Sequence, residues 1–294
     1  MPSKQSDNKS VGTRDKNFAP NLKFHGLYPP NFRDDSGSEV PDNLQEIQQM
    51  LSKNERTGNM ESLDFTVENF RLFKFENNRM YTENLVESKA VMYLYGKVMI
   101  EGGGNQSWSN AQSITKDTTV APVPDHYDAL RVEDVDSDIT DALDIVPVKG
   151  EHCLPNFVLE IKRPNADDEL CMNQALHGGG TAARIIHDMR KYLDPVTAWD
   201  NKAYVLAATY KPGPSAVLSL YTIHPLKAEQ GQKFDTRYRM SELTQFLVAK
   251  SPKDFNEAIT ALRNARDWCK SIREDLAAKA NAKVKKDGKV VMNS

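Results

Sequence analysis

Six residues, Phe157-Val158-Leu159-Glu160-Ile161-Lys162, constrain this chain more than any other stretch. The run is apolar and β-prone, and Arg163-Pro164 ends it. Side chains on a strand alternate between faces. Phe157, Leu159 and Ile161 therefore share one face, and Val158, Glu160 and Lys162 the other. Two charges placed two residues apart in an apolar strand are costly unless they pair with each other or bind something. Two readings follow: a Glu–Lys ion pair at a sheet edge, or a site.

The flanking pattern is helices, then strands, then helices. Leu44, Ile47, Met50 and Leu51 fall on one helical face. Leu63 to Phe75 is ambiguous. Thr82 is placed to cap a helix running to about Met99, and Gly102-Gly103-Gly104 breaks the chain after it. Ser107 to Val120 reads as two short strands around a turn. After Lys162, Asn165 is placed to cap a helix reaching about Leu193, interrupted by Gly178-Gly179-Gly180. Strands are expected at 203–210 and 216–223, joined by Pro212-Gly213-Pro214. A last helix opens at Ser251-Pro252 and carries Phe255, Ile259, Leu262, Cys269, Ile272 and Leu276 on one face. This order fits an α/β domain, a mixed central sheet flanked by helices, over about 43–280.

Composition bounds the ends and the setting. The apolar fraction is 39%, and the 15 Gly bring it to about 44%, just under the usual range of roughly 45–50%. A polar lead explains the shortfall. Residues 1–42 read as disordered or loosely docked, with few apolar residues and no period. Within them Phe24-His25-Gly26-Leu27-Tyr28-Pro29-Pro30 is aromatic enough to dock on the domain, or to meet a protein partner. Residues 281–294 read as a fraying basic tail. Three Cys (Cys153, Cys171, Cys269) lie far apart without a CxxC pair, which argues for a reducing compartment. The start, MPSKQSDNKS, has no apolar core, and no apolar run is long enough to span a membrane. The expectation is an intracellular protein, nuclear or cytoplasmic. The net charge of -3 excludes a polybasic binder but not a local basic face.

The chemistry lies around the first strand. Pro124-Asp125 stands upstream, after the strand-like run 118–123, and Glu160-Ile161-Lys162 follows. Asp125 and Glu160 offer the hard oxygens that Mg²⁺ or Mn²⁺ takes, and the Ile161 carbonyl adds a third. Lys162 supplies an ammonium for an attacking water or a phosphate. Between Val120 and Glu151, nine acids face two bases, and the second half of that stretch reads as an acidic loop or insertion. Arg163, Arg184, Arg190 and Lys191 flank the site in sequence and are the candidate phosphate contacts.

Proline-acid, then acid-any-lysine, is the PD-(D/E)XK pattern, and the chain resembles a family of fungal PD-(D/E)XK nuclease-like proteins. The matching stretches run from Pro124-Asp125-His126-Tyr127-Asp128 through 155–162, Asn173-Gln174-Ala175, 183–187, Ala203-Tyr204 with Thr209-Tyr210, to Arg263-Asn264-Ala265-Arg266-Asp267-Trp268. The resemblance implies a restriction-endonuclease-like fold and a Mg²⁺-dependent nuclease acting on nucleic acid, DNA before RNA. It also allows a member that has lost activity and only binds nucleic acid or protein. By the same resemblance Asp125 and Glu160 are the metal-binding acids and Lys162 the catalytic lysine. Gln174 is the glutamine on the following helix, and Glu83 the acid on the first core helix, with Glu87 as fallback.

Other signals have plainer readings. His177-Gly178-Gly179-Gly180 looks like a lipase oxyanion loop, but no G-x-S-x-G elbow exists. His152-Cys153 has no second pair to complete a metal site. Trp108, Trp199, Trp268 and His187 read as packing residues, and Arg263, Arg266, Lys270 and Arg273 as a solvated basic stripe.

Overall fold

The structure, a computed structural model, describes residues 10–30, 32, 40–53, 66–96 and 99–287. The side chains of Glu83, Glu87 and Ala90 also lie outside the described residues. In chain order the elements are α1 (Phe18–Phe24), β1 (Leu27–Tyr28), α2 (Leu44–Leu51), α3 (Val67–Asn77), α4 (Glu83–Tyr95), β2 (Gly102–Gly103), β3 (His126–Arg131), α5 (Ser137–Ala142), β4 (His152–Ile161), α6 (Asp168–Leu193), β5 (Val205–Lys211), β6 (Val217–Lys227), β7 (Thr236–Leu247) and α7 (Pro252–Asp287). A short 3₁₀ turn, Val132–Asp134, joins β3 to the stretch before α5.

Among the described residues seven strands form one mixed sheet in the order β1-β7-β6-β5-β4-β3-β2. The β4/β5 and β1/β7 pairs are parallel and the others antiparallel. β4 is buried over nine of its ten residues, because helices cover both of its faces. Val158 packs with Ala175, Ala182, Ala207 and Ile223 in the core under α6. Phe157, Leu159 and Ile161 pack with Phe73, Leu94, Phe255 and Leu262 in the core under α3, α4 and the first half of α7. The apolar period of α7 is where the sequence puts it, and its last turns (Leu276, Ala280, Val284) reach the α6 core. The result is an α/β sheet flanked by helices. Among the described residues no helix is long and apolar enough to cross a membrane.

Glycines set two close approaches. The run 178–180 neither bends nor breaks α6, which is helical throughout 168–193. It lets the helix lie directly on the sheet: a Cβ at Gly179 would sit 2.0 Å from Ile223 Cδ1, and one at Gly180 2.8 Å from Leu27 Cδ2. The run 102–104 hugs the start of β3 in the same way. A Cβ at Gly102 would meet the Tyr127 carbonyl oxygen at 2.0 Å, and one at Gly104 the Asp125 carbonyl oxygen at 2.2 Å.

The structure departs from the sequence reading in five places. The lead is not loose over its described part: Phe18 and Leu22 on α1 and Leu27 on β1 are buried in the α6 core, and β1 adds a parallel strand beside β7. Three apolar side chains at helical and strand spacing were enough to dock it. Helix α7 runs to Asp287, so residues 281–287 belong to it; residues 288–294 lie outside the described residues. Residues 107–120 form turns, with one bridge between Val11 and Thr119, in place of two strands. The second half of the acidic stretch, expected as a loop, contains the short helix α5, and in its first half Asp128 sits within β3 at 2% exposure.

That Asp128 explains the last departure. Of the stripe on α7 only Lys270 is solvated: Arg263, Arg266 and Arg273 are 3%, 3% and 1% exposed. Arg266 grips both Asp128 oxygens at 2.9 and 2.8 Å and stacks 3.5 Å over Tyr95. Arg273 donates to Asn156 Oδ1 at 2.9 Å, and Arg263 to the Leu94 and Tyr93 carbonyls at the end of α4. Removing one member of a buried pair strands a charge, at a cost of about 3–5 kcal/mol. Arg266→Met should therefore lose stability of that order in chemical denaturation, and adding Asp128→Asn should recover part of it. A loss under about 1 kcal/mol would show that this pair does not fasten α7 to β3.

Candidate active site

The C-terminal end of β4 carries Glu160, Ile161 and Lys162 into the corner where β3 begins and β5 ends. Asp125 stands immediately before β3, which pairs antiparallel with β4 and sets His126 opposite Leu159. The acid thus precedes the strand beside β4; the run 118–123 ahead of it is not a strand. The long excursion through α5 returns the chain to β4, so 35 residues of sequence separation become direct contact.

Three oxygens meet one cation there. Lys162 Nζ lies 3.2 Å from Asp125 Oδ2, 3.4 Å from Glu160 Oε2 and 2.9 Å from the Ile161 carbonyl oxygen. The Ile161 N–H donates to the same Asp125 oxygen at 2.5 Å, and the Lys162 N–H donates to the Tyr210 carbonyl at 3.0 Å. Backbone therefore fixes both the acid and the lysine. Glu160 is 2% and Lys162 5% exposed, whereas the Asp125 side chain retains 14%. Burial pushes the Glu160 carboxyl well above the usual carboxylate range; Asp125 beside it adds to the rise and Lys162 opposes it. The Glu–Lys pair of the plainer reading does exist, but in a buried corner with a second carboxylate and not at an edge.

Helix α6 closes one side. Its Asp167 caps the first turn by accepting from the Glu169 N–H at 2.9 Å, two residues later than the expected Asn165. Cys171 then reaches the Glu160 carbonyl at 3.7 Å, and burial raises its thiol pKa. Gln174 follows one turn later, with its Oε1 buried and without a hydrogen-bond partner. Glu83 is the first residue of α4, which Thr82 caps by accepting from the Leu85 N–H at 3.4 Å. The side chains of Glu83 and Glu87 lie outside the described residues. Among the described residues no cluster of three or more Asp, Glu, His or Cys side chains is arranged to hold a metal. The two carboxylates and the Ile161 carbonyl nonetheless fit a hard divalent cation in donor type, and they already converge on a positive charge.

Of the four basic residues expected to contact phosphate, the structure leaves one open beside the site. Arg163 is exposed. Arg184 is buried and paired with Asp144 at 2.7 Å and Asp188 at 3.1 Å. Arg190 donates to Asp200 and to the Thr197 and Ala198 carbonyls while lying 4.0 Å over the Tyr204 ring. Lys191 pairs with Asp188 at 2.9 Å. Along a helix rising 1.5 Å per residue, Arg190 stands about 24 Å beyond Gln174. Nearness in sequence was the wrong guide, because α6 carries these residues away from the strand end.

The sequence reading also passed over a cleft of about 620 Å³ that begins at the residue after Lys162, lined by Tyr81, Asn78, Arg163, Pro164, Asn165 and Pro214. Its back wall is fixed by Asn77, which accepts from the Tyr210 hydroxyl at 2.8 Å and donates to the Gly213 carbonyl at 2.6 Å. Exposed Tyr81, outside any apolar period, was the available signal. Compared with protein-family models, with curated proteins and with solved structures, the chain finds no match.

The raised Glu160 pKa has a pH consequence. The folded protein holds a proton that the unfolded chain releases above about pH 4.3. Stability from this group is complete below that value and falls as pH rises toward the folded pKa. Glu160→Gln should remove the fall, so the variant should gain on the wild type as pH rises above about 4.3. A stability difference that does not change with pH would show that Glu160 is not held protonated.

Proposed function

We propose that the protein is a Mg²⁺- or Mn²⁺-dependent phosphodiesterase acting on nucleic acid, DNA before RNA, on a restriction-endonuclease-like fold. The observation that carries this reading is the convergence of Asp125 Oδ2, Glu160 Oε2 and the Ile161 carbonyl on Lys162 Nζ. The strand arrangement supports it, with β3 antiparallel and β5 parallel to β4, and α6 leaving β4 directly.

Asp125, Glu160 and the Ile161 carbonyl would hold the metal, and Lys162 would yield its place among them. A bound divalent ion supplies Lewis acidity toward a phosphate and lowers the pKa of its water. The chain's own part is positional. The Ile161 N–H keeps one Asp125 oxygen aimed at the strand end. Two carboxylates in one buried corner repel, which favours a divalent cation over a lone ammonium. Lys162, displaced but tethered by its backbone bond to Tyr210, presents a point charge to the scissile phosphate or the attacking water.

A second reading, a catalytically silent module that binds nucleic acid or a protein, is favoured by the ion pairs of Arg184 and Arg190. They leave the site with fewer free cations than a phosphate track needs. The two readings separate in one experiment. Metal binding only the folded state at ten times its dissociation constant stabilises by about 1.4 kcal/mol, which raises Tm by roughly 2–4 °C in a domain of this size. Wild type should show that shift with Mn²⁺ and should cut oligonucleotides. Asp125→Asn should lose most of the shift. Lys162→Ala should keep the shift, or enlarge it because a competing cation is gone, and should cut nothing. Equal shifts for wild type and Asp125→Asn, with no cleavage, would establish the silent module.

A further inference from the structure

Arg163, the residue after Lys162, opens onto a cleft whose lining is mostly uncharged. Two proline rings, Pro164 and Pro214, line it beside Gly213, whose φ of +131° is in the region glycine favours. Its rim carries the Tyr81 ring at 72% exposure, a large aromatic surface left in water. Asn78 and Asn165 add side-chain amides, each able to donate and to accept. The back wall is rigid, since Asn77 is held from both ends by Tyr210 and Gly213. One wall is charged: Arg163, the residue directly after Lys162. Asp168 on the nearby first turn of α6 is paired with Lys211.

We propose that this cleft receives one unpaired base of the substrate strand next to the phosphate at Lys162. The substrate class is then single-stranded nucleic acid, or a strand with a frayed or flipped nucleotide. This inference rests on the reading of the corner as a phosphodiesterase site. Bases stack on exposed aromatic rings whatever their sequence. Base edges pair with amide side chains, and the proline rings of the lining would take the place of a neighbouring base. A base inside a duplex is stacked on both faces and paired along its edge, so it must leave the helix to enter such a slot. The volume, about 620 Å³, falls within the roughly 300–1,000 Å³ of small-ligand clefts. Arg163 and Lys162 are adjacent, with Cα atoms about 3.8 Å apart. Their side chains leave opposite sides of the strand end, so a strand crossing that edge would set its phosphate toward Lys162 and its neighbouring base toward Arg163.

The test is binding in EDTA, which does not depend on cleavage, read by anisotropy of labelled single-stranded DNA, single-stranded RNA and blunt duplex DNA. Single strands should bind more tightly than duplex. Tyr81→Ala should weaken single-strand binding roughly tenfold and leave duplex binding unchanged, while Tyr81→Phe should bind as wild type does. Arg163→Gln should weaken all substrates and lower the salt slope by about one. The DNA and RNA arms identify which strand the slot prefers. Equal affinity for duplex and single strand, or a Tyr81→Ala variant that binds single strands like wild type, would overturn the proposal. If wild type also cuts duplex with Mn²⁺, the phosphodiesterase reading survives that failure. If wild type binds no nucleic acid, both fall.

Discussion

The architecture turns on β4 being covered from both sides. A strand with one wet face can carry charges there at little cost, but β4 lies between α6 and the α3–α4–α7 layer. Every charge on it or beside it must then be met inside the protein. On the α7 face Asp128 of the neighbouring strand is met by Arg266, and Asn156 of β4 by Arg273. On the α6 face Glu160 and Lys162 are met by each other and by Asp125. The two solutions differ. The Asp128–Arg266 pair is bidentate and backed by a tyrosine ring, so its charges are matched one to one. The Asp125–Glu160–Lys162 corner has two acids for one base, and burial together with the second acid raises the Glu160 pKa. A balanced pair fastens; an unbalanced one leaves room for another positive charge.

Strands and helices with a full apolar period were legible from the residues alone. The alternation of 157–162, the strands at 205–211 and 217–227 and the stripe of α7 all rest on local periodicity, which packing respects. Asp125 was legible too, since proline-acid before acid-x-lysine survives any length of intervening loop. What was hidden depended on partners distant in sequence. The arginines of α7 look solvated until Asp128, Asn156 and the end of α4 are brought under them. Arg184 and Arg190 look like phosphate contacts until α6 carries them to Asp144, Asp188 and Asp200. Strand β7, Thr236–Leu247, is rich in polar residues and shows little alternation, because it lies far out in the sheet next to the two-residue β1. α1 was hidden for the opposite reason: Phe18 and Leu22 are too few to show a period, yet both are buried.

Charge arithmetic on the whole chain was a poor guide to local electrostatics. The stretch 120–151 is the most acidic in the sequence, yet Asp125 and Asp128 are each spoken for by a cation from elsewhere. Asp144 in turn holds Arg184 and accepts from the Gln112 N–H. Asp128 in β3 thus holds α7, and Asp144 joins α6 to the loop before β3. At the strand end Lys162 is met by two acids, and the basic residue left open there is Arg163, directly after it.

The glycine run 102–104 gives the corner an unusual dependence. Gly104 is packed so closely on the Asp125 carbonyl that a methyl group would stand 2.2 Å from it. The next residue, Asn105, donates its N–H to the Pro124 carbonyl at 2.8 Å. The acid is thus located by a neighbour with no side chain, through contact of backbone with backbone. Tolerance to change around the corner is therefore inverted: the position with the least chemistry has the least freedom. Drift at residue 104 would silence Asp125 as surely as replacing it, while leaving every charged group of the sequence in place.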